Sequence, residues 1–354
     1  MRKLLCAALS VCLLCTTLAG CGSQPAPEVD EVDYNQYLNA HGSVALTSES
    51  MILFQDGLLY SLDLSLTEPL SPLCTDEDCD HTAPSCTARL EASGIGAWDD
   101  MLYYVAVDGG DRTGLYCMDI RGRARRLVKE MALLDEEGCT YRYQICGGCL
   151  AIEILNPGAE QNAYTIYVCS LEDDSQPECV FEDENTDYVD LELRDGWLFA
   201  YARSEGSQRL SLWGLELATG EKRLFAKDIP DTARPVLRDD QVLWFAAGDG
   251  AYTAPLESGQ SAHRFYTSTD AAACGVLDDQ YLYVSAGNAL SIIDSGGQTV
   301  QTLAAEGGSL SYLAATADKV FFADGNAEAG RPQYWVDKTE LAAGYATLHT
   351  IEQN

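Results

Sequence analysis

The sequence predicts an all-β fold: a single β-propeller of about seven four-stranded blades, with six and eight as the bounds on the count. Three observations lead there. A phrase made of an Asp or Gly turn and an apolar, aromatic strand recurs seven times along the chain. The copies are spaced at roughly 40 to 50 residues, at or just above the period of propeller blades. The roughly 300 residues after the N-terminal stretch carry no internal linker, although that length is large for one hydrophobic core.

The chain opens with Met1-Arg2-Lys3 and runs apolar from Leu4 to Leu18. Two positive charges before an apolar run that ends in small residues make a secretory signal peptide. The run is too short for a comfortable membrane span. Its end, Leu18-Ala19-Gly20-Cys21, resembles a bacterial lipobox. The resemblance implies cleavage after residue 20 and a lipid on the Cys21 sulfur. Ordinary signal cleavage with Cys21 uninvolved is the competing reading. From Gly22 to Asp33 the chain is mostly Gly, Ser, Pro and acids, which cannot build a core. The sequence therefore divides into a signal peptide at 1–20, a flexible acidic tether at 21–38 and a propeller at 39–354. The expected location is the outer face of a bacterial cell membrane.

Composition narrows the partners. Twenty-two basic residues stand against 55 acidic ones, a formal net charge of -33. Nucleic-acid affinity rests on Lys and Arg neutralising phosphates, so a nucleic-acid partner is excluded. An anionic membrane surface repels such a chain as well, which leaves attachment to the lipid. Strong net charge keeps a surface protein dispersed, and a monomer is expected.

The repeats follow in order. The best copies are Asp99-Asp100-Met-Leu-Tyr-Tyr-Val105, Asp239-Asp240-Gln-Val-Leu-Trp-Phe245 and Asp278-Asp279-Gln-Tyr-Leu-Tyr-Val284. Weaker copies begin at Glu49, Gly147, Asp195 and Ala317. Aromatic and β-branched runs suit a pleated, half-buried surface, and Asp-Asp, Asp-Gly and Gly-Gly supply tight hairpin turns. One such unit leaves both faces bare, so neighbours must stack and the ring must close. The segment Leu212-Trp-Gly-Leu-Glu-Leu-Ala-Thr-Gly-Glu-Lys222 is close to the hairpin of quinoprotein-like and beat-propeller repeats, which the chain resembles from about residue 40 onward. That resemblance implies architecture and not chemistry.

Between the first and second units lies Cys74-Thr-Asp-Glu-Asp-Cys79-Asp-His81-Thr-Ala-Pro-Ser-Cys86. Three thiolates and an imidazole are a complete tetrahedral zinc set. The spacing is not that of a zinc finger or knuckle, and secretion favours disulfides. One structural zinc on Cys74, Cys79, His81 and Cys86, a disulfide from Cys74 or Cys79 to Cys86, and free thiols all stay open. As a connection between blades, the loop is expected on the face around the channel mouth. The same stretch resembles an N-terminal element of propeller-like surface lipoproteins of Gram-positive anaerobes, a group whose activity the resemblance does not supply. A calcium loop is discounted, since His81 stands where its glycine belongs and Thr87 where its last acid belongs. In Cys146-Gly-Gly-Cys149 the glycines align with a hairpin turn. Two thiols facing across a turn is therefore preferred to a redox pair, which needs a helix start. Cys139, Cys169 and Cys179 are nearby candidates for pairing, and Cys117 and Cys274 read as small core residues.

No nucleophile elbow, His-Glu-x-x-His or phosphate loop is present. His41, His81, His263 and His349 are isolated in sequence. Tyr103, Tyr104, Trp197, Tyr201, Trp244, Tyr281, Tyr283 and Trp335 read first as blade-packing residues and only second as sugar platforms. The preferred function is a binding or scaffold module for a glycan, peptide or envelope protein, without a catalytic residue. The alternative is a glycan-directed lyase or hydrolase using channel-lining carboxylates beside a His or Arg.

Overall fold

The computed structural model describes residues 33–352 except 39–41, 77, 84, 108–111, 136–139, 157–162, 184–185, 195, 205–208, 230–234, 239, 257–260, 271, 306–307 and 325–330. Cys21, His41 and Cys139 lie outside the described residues, as do the signal-peptide residues.

Each of the seven recurring phrases supplies the body of a second strand, and in the copies whose opening residues are described these form the turn into it. Asp99 and Asp100 adopt φ of 48° and 54°, and Gly147 and Gly148 adopt 55° and 71°. Positive φ at both central residues makes the tight turn whose twist matches the flanking strands. The strands on either side pair antiparallel, as with Trp98 opposite Met101 and Cys146 opposite Cys149. Repetition gives seven four-stranded meanders at 44–72, 96–130, 140–183, 186–229, 236–267, 274–304 and 310–350. These are blades 1 to 7 of a β-propeller, and the first strand of each blade is its inner one.

Alternation along the strands assigns side chains to two different neighbours. In blade 2, Leu102 and Tyr104 face blade 1, with Ala45, Ile52 and Leu59. Tyr103 and Val105 face blade 3, with Ile145, Leu150 and Ile152. The same logic gives one apolar cluster per seam around the ring. All eight aromatic residues singled out in the sequence pack in or against these seams, Trp335 partly buried and the others buried. Each fully buried Leu, Ile or Phe contributes roughly 1.5–3 kcal/mol.

Among the described residues the ring closes without strand exchange. The last strand, His349–Thr350, pairs with Tyr334 and Trp335 of its own blade. The first, Val44–Leu46, pairs within blade 1. The seam between blades 7 and 1 is held by Leu313, Ala314 and Phe321 against Val44, Met51, Leu53 and Leu62. The Leu70 N–H reaches the Glu352 carbonyl at 3.1 Å, and Arg331 Nε reaches Gln55 Oε1 at 2.7 Å.

One boundary differs from the sequence reading. Residues 33–38, assigned above to the tether, belong to the compact unit that begins at Asp33. They form a short 3-10 helix, Tyr34–Tyr37, capped by the Asp33 carboxylate, and Asn35, Gln36, Tyr37 and Leu38 are buried. The two tyrosines amid polar residues were the available signal. Cys274 also differs: it begins the inner strand of blade 6 and is exposed, whereas Cys117 is fully buried.

Candidate metal centre

Blade 1 has a fourth strand of only two residues, Ser71–Pro72. That leaves the outer edge of its third strand, Leu58–Asp63, short of partners. The loop that follows supplies them. The Leu73 N–H donates to the Leu59 carbonyl and the Leu59 N–H donates to the Ala88 carbonyl, both at 2.8 Å. Between Leu73 and Ala88 the chain must turn back on itself, and this excursion contains the three cysteines and the histidine.

Their donor atoms converge. Sγ of Cys74, Cys79 and Cys86 and a ring nitrogen of His81 all lie within 4.8 Å of one another. Cys86 Sγ is 3.7 Å from Cys74 Sγ and 3.5 Å from His81 Nδ1. A tetrahedral ion with metal–sulfur bonds of about 2.3 Å has edges of about 3.8 Å between sulfurs. The cluster can therefore hold a metal ion. A disulfide needs its sulfurs at about 2.05 Å. His81 takes a positive φ of 58° to bring its ring in, and its N–H donates to Cys79 Sγ at 3.4 Å.

Ionisation is uneven among the thiols. Burial opposes it at Cys74. Hydrogen bonds from the Asp76 backbone, the Thr87 hydroxyl and the Cys86 and Cys79 thiols outweigh burial and lower Cys74 to about 6. At Cys79 the His81 backbone favours the thiolate. Burial and the neighbouring Cys86 and Cys74 prevail and raise it to about 11. The first negative charge forms readily and the second is resisted by the first, an arrangement that a cation relieves.

The loop's acids are directed to its backbone. Asp76 accepts the Asp78 N–H at 3.1 Å, and Asp80 accepts the Thr82 N–H at 3.0 Å and its hydroxyl at 2.8 Å. Two arginines hold the loop from outside. Arg89 reaches the His81 carbonyl at 3.3 Å, and Arg125 reaches the carbonyls of Thr87 and Arg89 at 2.7 and 2.9 Å. Neither arginine was singled out in the sequence: Arg125 reaches across 36 residues or more, and Arg89, eight residues from His81, has no spacing that announces a contact to a backbone carbonyl.

The loop does not sit at the channel mouth as expected. Its partners are the third strand of blade 1 and the turn between the third and fourth strands of blade 2, both in the outer half of the ring. The reason is the short fourth strand: the unpaired edge it leaves lies at the rim, and the loop is drawn there.

Elsewhere, two acidic positions of the inner turns and strands are matched by cations. Glu192 and Arg194, both nearly inaccessible, pair at 2.7 Å on the inner strand of blade 4. Lys338 lies 3.3 Å from Asp278 and 2.5 Å from Asp279. The Tyr283 hydroxyl also donates to Asp278, at 2.7 Å. A groove of about 300 Å³ opens at the rim between blades 1 and 7, lined in part by Glu68, Glu352, Trp335 and His349. The His349 ring stacks on Trp335 at 4.4 Å. Cys146 and Cys149 face each other across the hairpin turn, as the sequence indicated, and Cys169 lies beside them in the register, opposite Leu150. His263 is exposed on the outer strand of blade 5. Among the described residues no helix is long and apolar enough to cross a membrane.

No protein-family model matches the sequence, and no curated protein matches it either. Solved structures share the fold. A prolyl endopeptidase is similar with a TM-score of 0.56 at 15% identity, over 90% of this chain and 51% of the other. PorZ, a surface component of the type-IX secretion system of Porphyromonas gingivalis, gives 0.53 at 14% identity, over 89% and 39%. The propeller domain of the Trilobed protease from Pyrococcus furiosus, described as having an open velcro topology, gives 0.51 at 14%, over 75% and 83%. The chain thus spans about half of the first of these proteins and about two fifths of the second.

Proposed function

We propose that the protein is an extracytoplasmic lipoprotein, anchored through Cys21 to the outer face of a bacterial cell membrane, whose propeller is a binding or scaffold module. A glycan, a peptide or an envelope protein is the class of ligand. The observation that carries this reading is the use of charge around the channel. Glu192 and Asp278 are each tied to a buried cation, so these acids hold the ring rather than wait for substrate. PorZ, a bacterial surface component, supports the reading by sharing the architecture.

The loop at 74–86 carries one structural zinc on Cys74, Cys79, His81 and Cys86 in this reading. Four donors within 4.8 Å of one another, with Cys86 Sγ at 3.7 Å from Cys74 Sγ and 3.5 Å from His81 Nδ1, support a metal over a two-sulfur bond. The ion supplies Lewis-acid charge that binds the thiolates and fixes the loop. Arg89 and Arg125 then orient the loop against blades 1 and 2 by holding its carbonyls.

Labelling with a fatty-acid probe tests the anchor. The native chain is expected to take up label and Cys21→Ser to lose it; an unlabelled native chain, or a labelled variant, overturns the assignment. Native mass spectrometry tests the metal. One zinc per chain, absent in Cys86→Ala, is expected, whereas a two-hydrogen mass deficit among Cys74, Cys79 and Cys86 without metal makes the loop a disulfide clamp. Turnover of a glycan by the purified chain would replace the binding role with the enzymatic one.

A further inference from the structure

The short helix at the start of the fold touches more of the ring than any blade does. The Asn35 side chain donates to the Leu46 carbonyl at 2.9 Å and accepts the Leu46 N–H at 2.8 Å, in blade 1. Asp33 Oδ2 accepts the Gly147 N–H at 2.9 Å, in blade 3. The Tyr37 hydroxyl donates to the Leu237 carbonyl at 3.2 Å, in blade 5. The Tyr34 hydroxyl reaches Asp279 at 3.5 Å, in blade 6, and Lys338 lies 5.3 Å above the Tyr34 ring. The Tyr312 hydroxyl of blade 7 donates to the Tyr37 carbonyl at 2.9 Å. Only a position on the ring axis is within reach of blades 1, 3 and 5 together.

Two of these contacts bear on closure. Asn35 acts as a strand partner for the free inner edge of blade 1, while the Tyr37 carbonyl holds blade 7. Leu38, one residue on, is packed into the apolar cluster of the seam between those two blades. That seam joins the first and last blades and, among the described residues, has no shared strand pairing.

We infer that residues 33–38 are an axial clasp: they hold together, from inside the channel, a first and a last blade that no described strand pairing joins, and they fill the mouth at the face where first and second strands turn. The inference stands apart from the binding and metal assignments above. Its physical basis is that Leu46 would otherwise bury an N–H and a carbonyl without partners.

The test introduces a site-specific protease sequence between Leu38 and Gly42 of the full chain, which is cut after folding. The fragment ending at Leu38 is expected to stay bound through gel filtration. Asn35→Ala with Tyr37→Phe in the same background is expected to release it and to lower the unfolding midpoint by about 5 °C or more. Hydrogen exchange in the uncut Asn35→Ala chain is expected to rise at 44–53 and 310–321, and to stay unchanged at the seam between blades 2 and 3. Release of the fragment with an unchanged midpoint overturns the inference. So does a rise in exchange spread evenly around the ring, which marks ordinary loss of core.

Discussion

At the rim of blade 1, residues 74–86 gather three thiols and an imidazole on one another and turn several of their backbone N–H groups onto acceptors within the loop. On the axis, residues 33–38 direct their anchoring atoms outward to five blades. One segment is organised by its own chemistry and the other by its surroundings. The difference teaches where a polar segment's stability comes from. Remove the surroundings from the loop and its donor set survives, because the ligands lie within thirteen residues of sequence, from Cys74 to Cys86. Remove them from the helix and nothing remains that would fold, since a single 3-10 turn is marginal alone.

The largest expected effect lies on the axial side. Lys338→Met leaves Asp278 and Asp279 without their cation, and Asp278 is fully buried. Breaking a buried pair costs about 3–5 kcal/mol, to be read as a lower urea midpoint. A loss under about 1 kcal/mol, within the range of exposed ion pairs, would show that solvent reaches these acids.

Asn35→Ala is expected to cost about 2–4 kcal/mol, because two buried backbone groups of Leu46 lose their partners. Asn35→Asp sharpens the point. It keeps an acceptor for the Leu46 N–H but sets a carboxylate oxygen against the Leu46 carbonyl and against Asp33 Oδ1, which Asn35 Nδ2 reaches at 3.0 Å, so its loss should exceed that of Asn35→Ala. Equal losses for both variants would mean that solvent reaches the site and screens the added charge.

At the rim, removing the metal with a chelator is expected to cost about 3 kcal/mol, the order of a cross-link over a loop of this length. The effect should be local. Exchange should rise at 59 and 73–90 and leave the axial segment protected. A global loss after chelation would erase the contrast between the two regions.

The smallest effect is a pH dependence at the end of blade 7. Asp337 caps the helix Lys338–Ala342, accepting the Thr339 N–H at 2.7 Å. Its carboxyl is held below the ordinary range, chiefly by the Thr339 hydroxyl. A depressed folded value means the contribution is complete above the unfolded value of about 3.9 and is lost as pH falls below it. Asp337→Asn should flatten that acid limb by no more than about 1 kcal/mol.

How much of this was legible follows the same division. The seven second strands could be read because turn and strand are contiguous, as in Asp99 to Val105. The ligand set could be read because Cys and His are rare and close together. The position of the loop could not, because it depends on a fourth strand two residues long whose shortness shows only in pairing. The helix at 34–37 was hidden for a related reason: Tyr37 meets Leu237 and Tyr312 across 200 and 275 residues. Asp278-Asp279 was matched to Asp99-Asp100 by sequence, yet Asp278 is buried against Tyr283 and Lys338 while Asp100 caps Ser48 at the surface.

The axial helix also sets how the molecule meets a pull. Asp33 is the first described residue of the ring, and tension applied at that residue enters the fold at the axis. It loads the Asn35, Tyr34 and Tyr37 contacts before it reaches any blade strand. Because those contacts end on five blades, the load divides among them instead of peeling one strand from an edge. A force spectrum taken by pulling from residue 32 should therefore show one early rupture at the axis, followed by separation of blades 7 and 1.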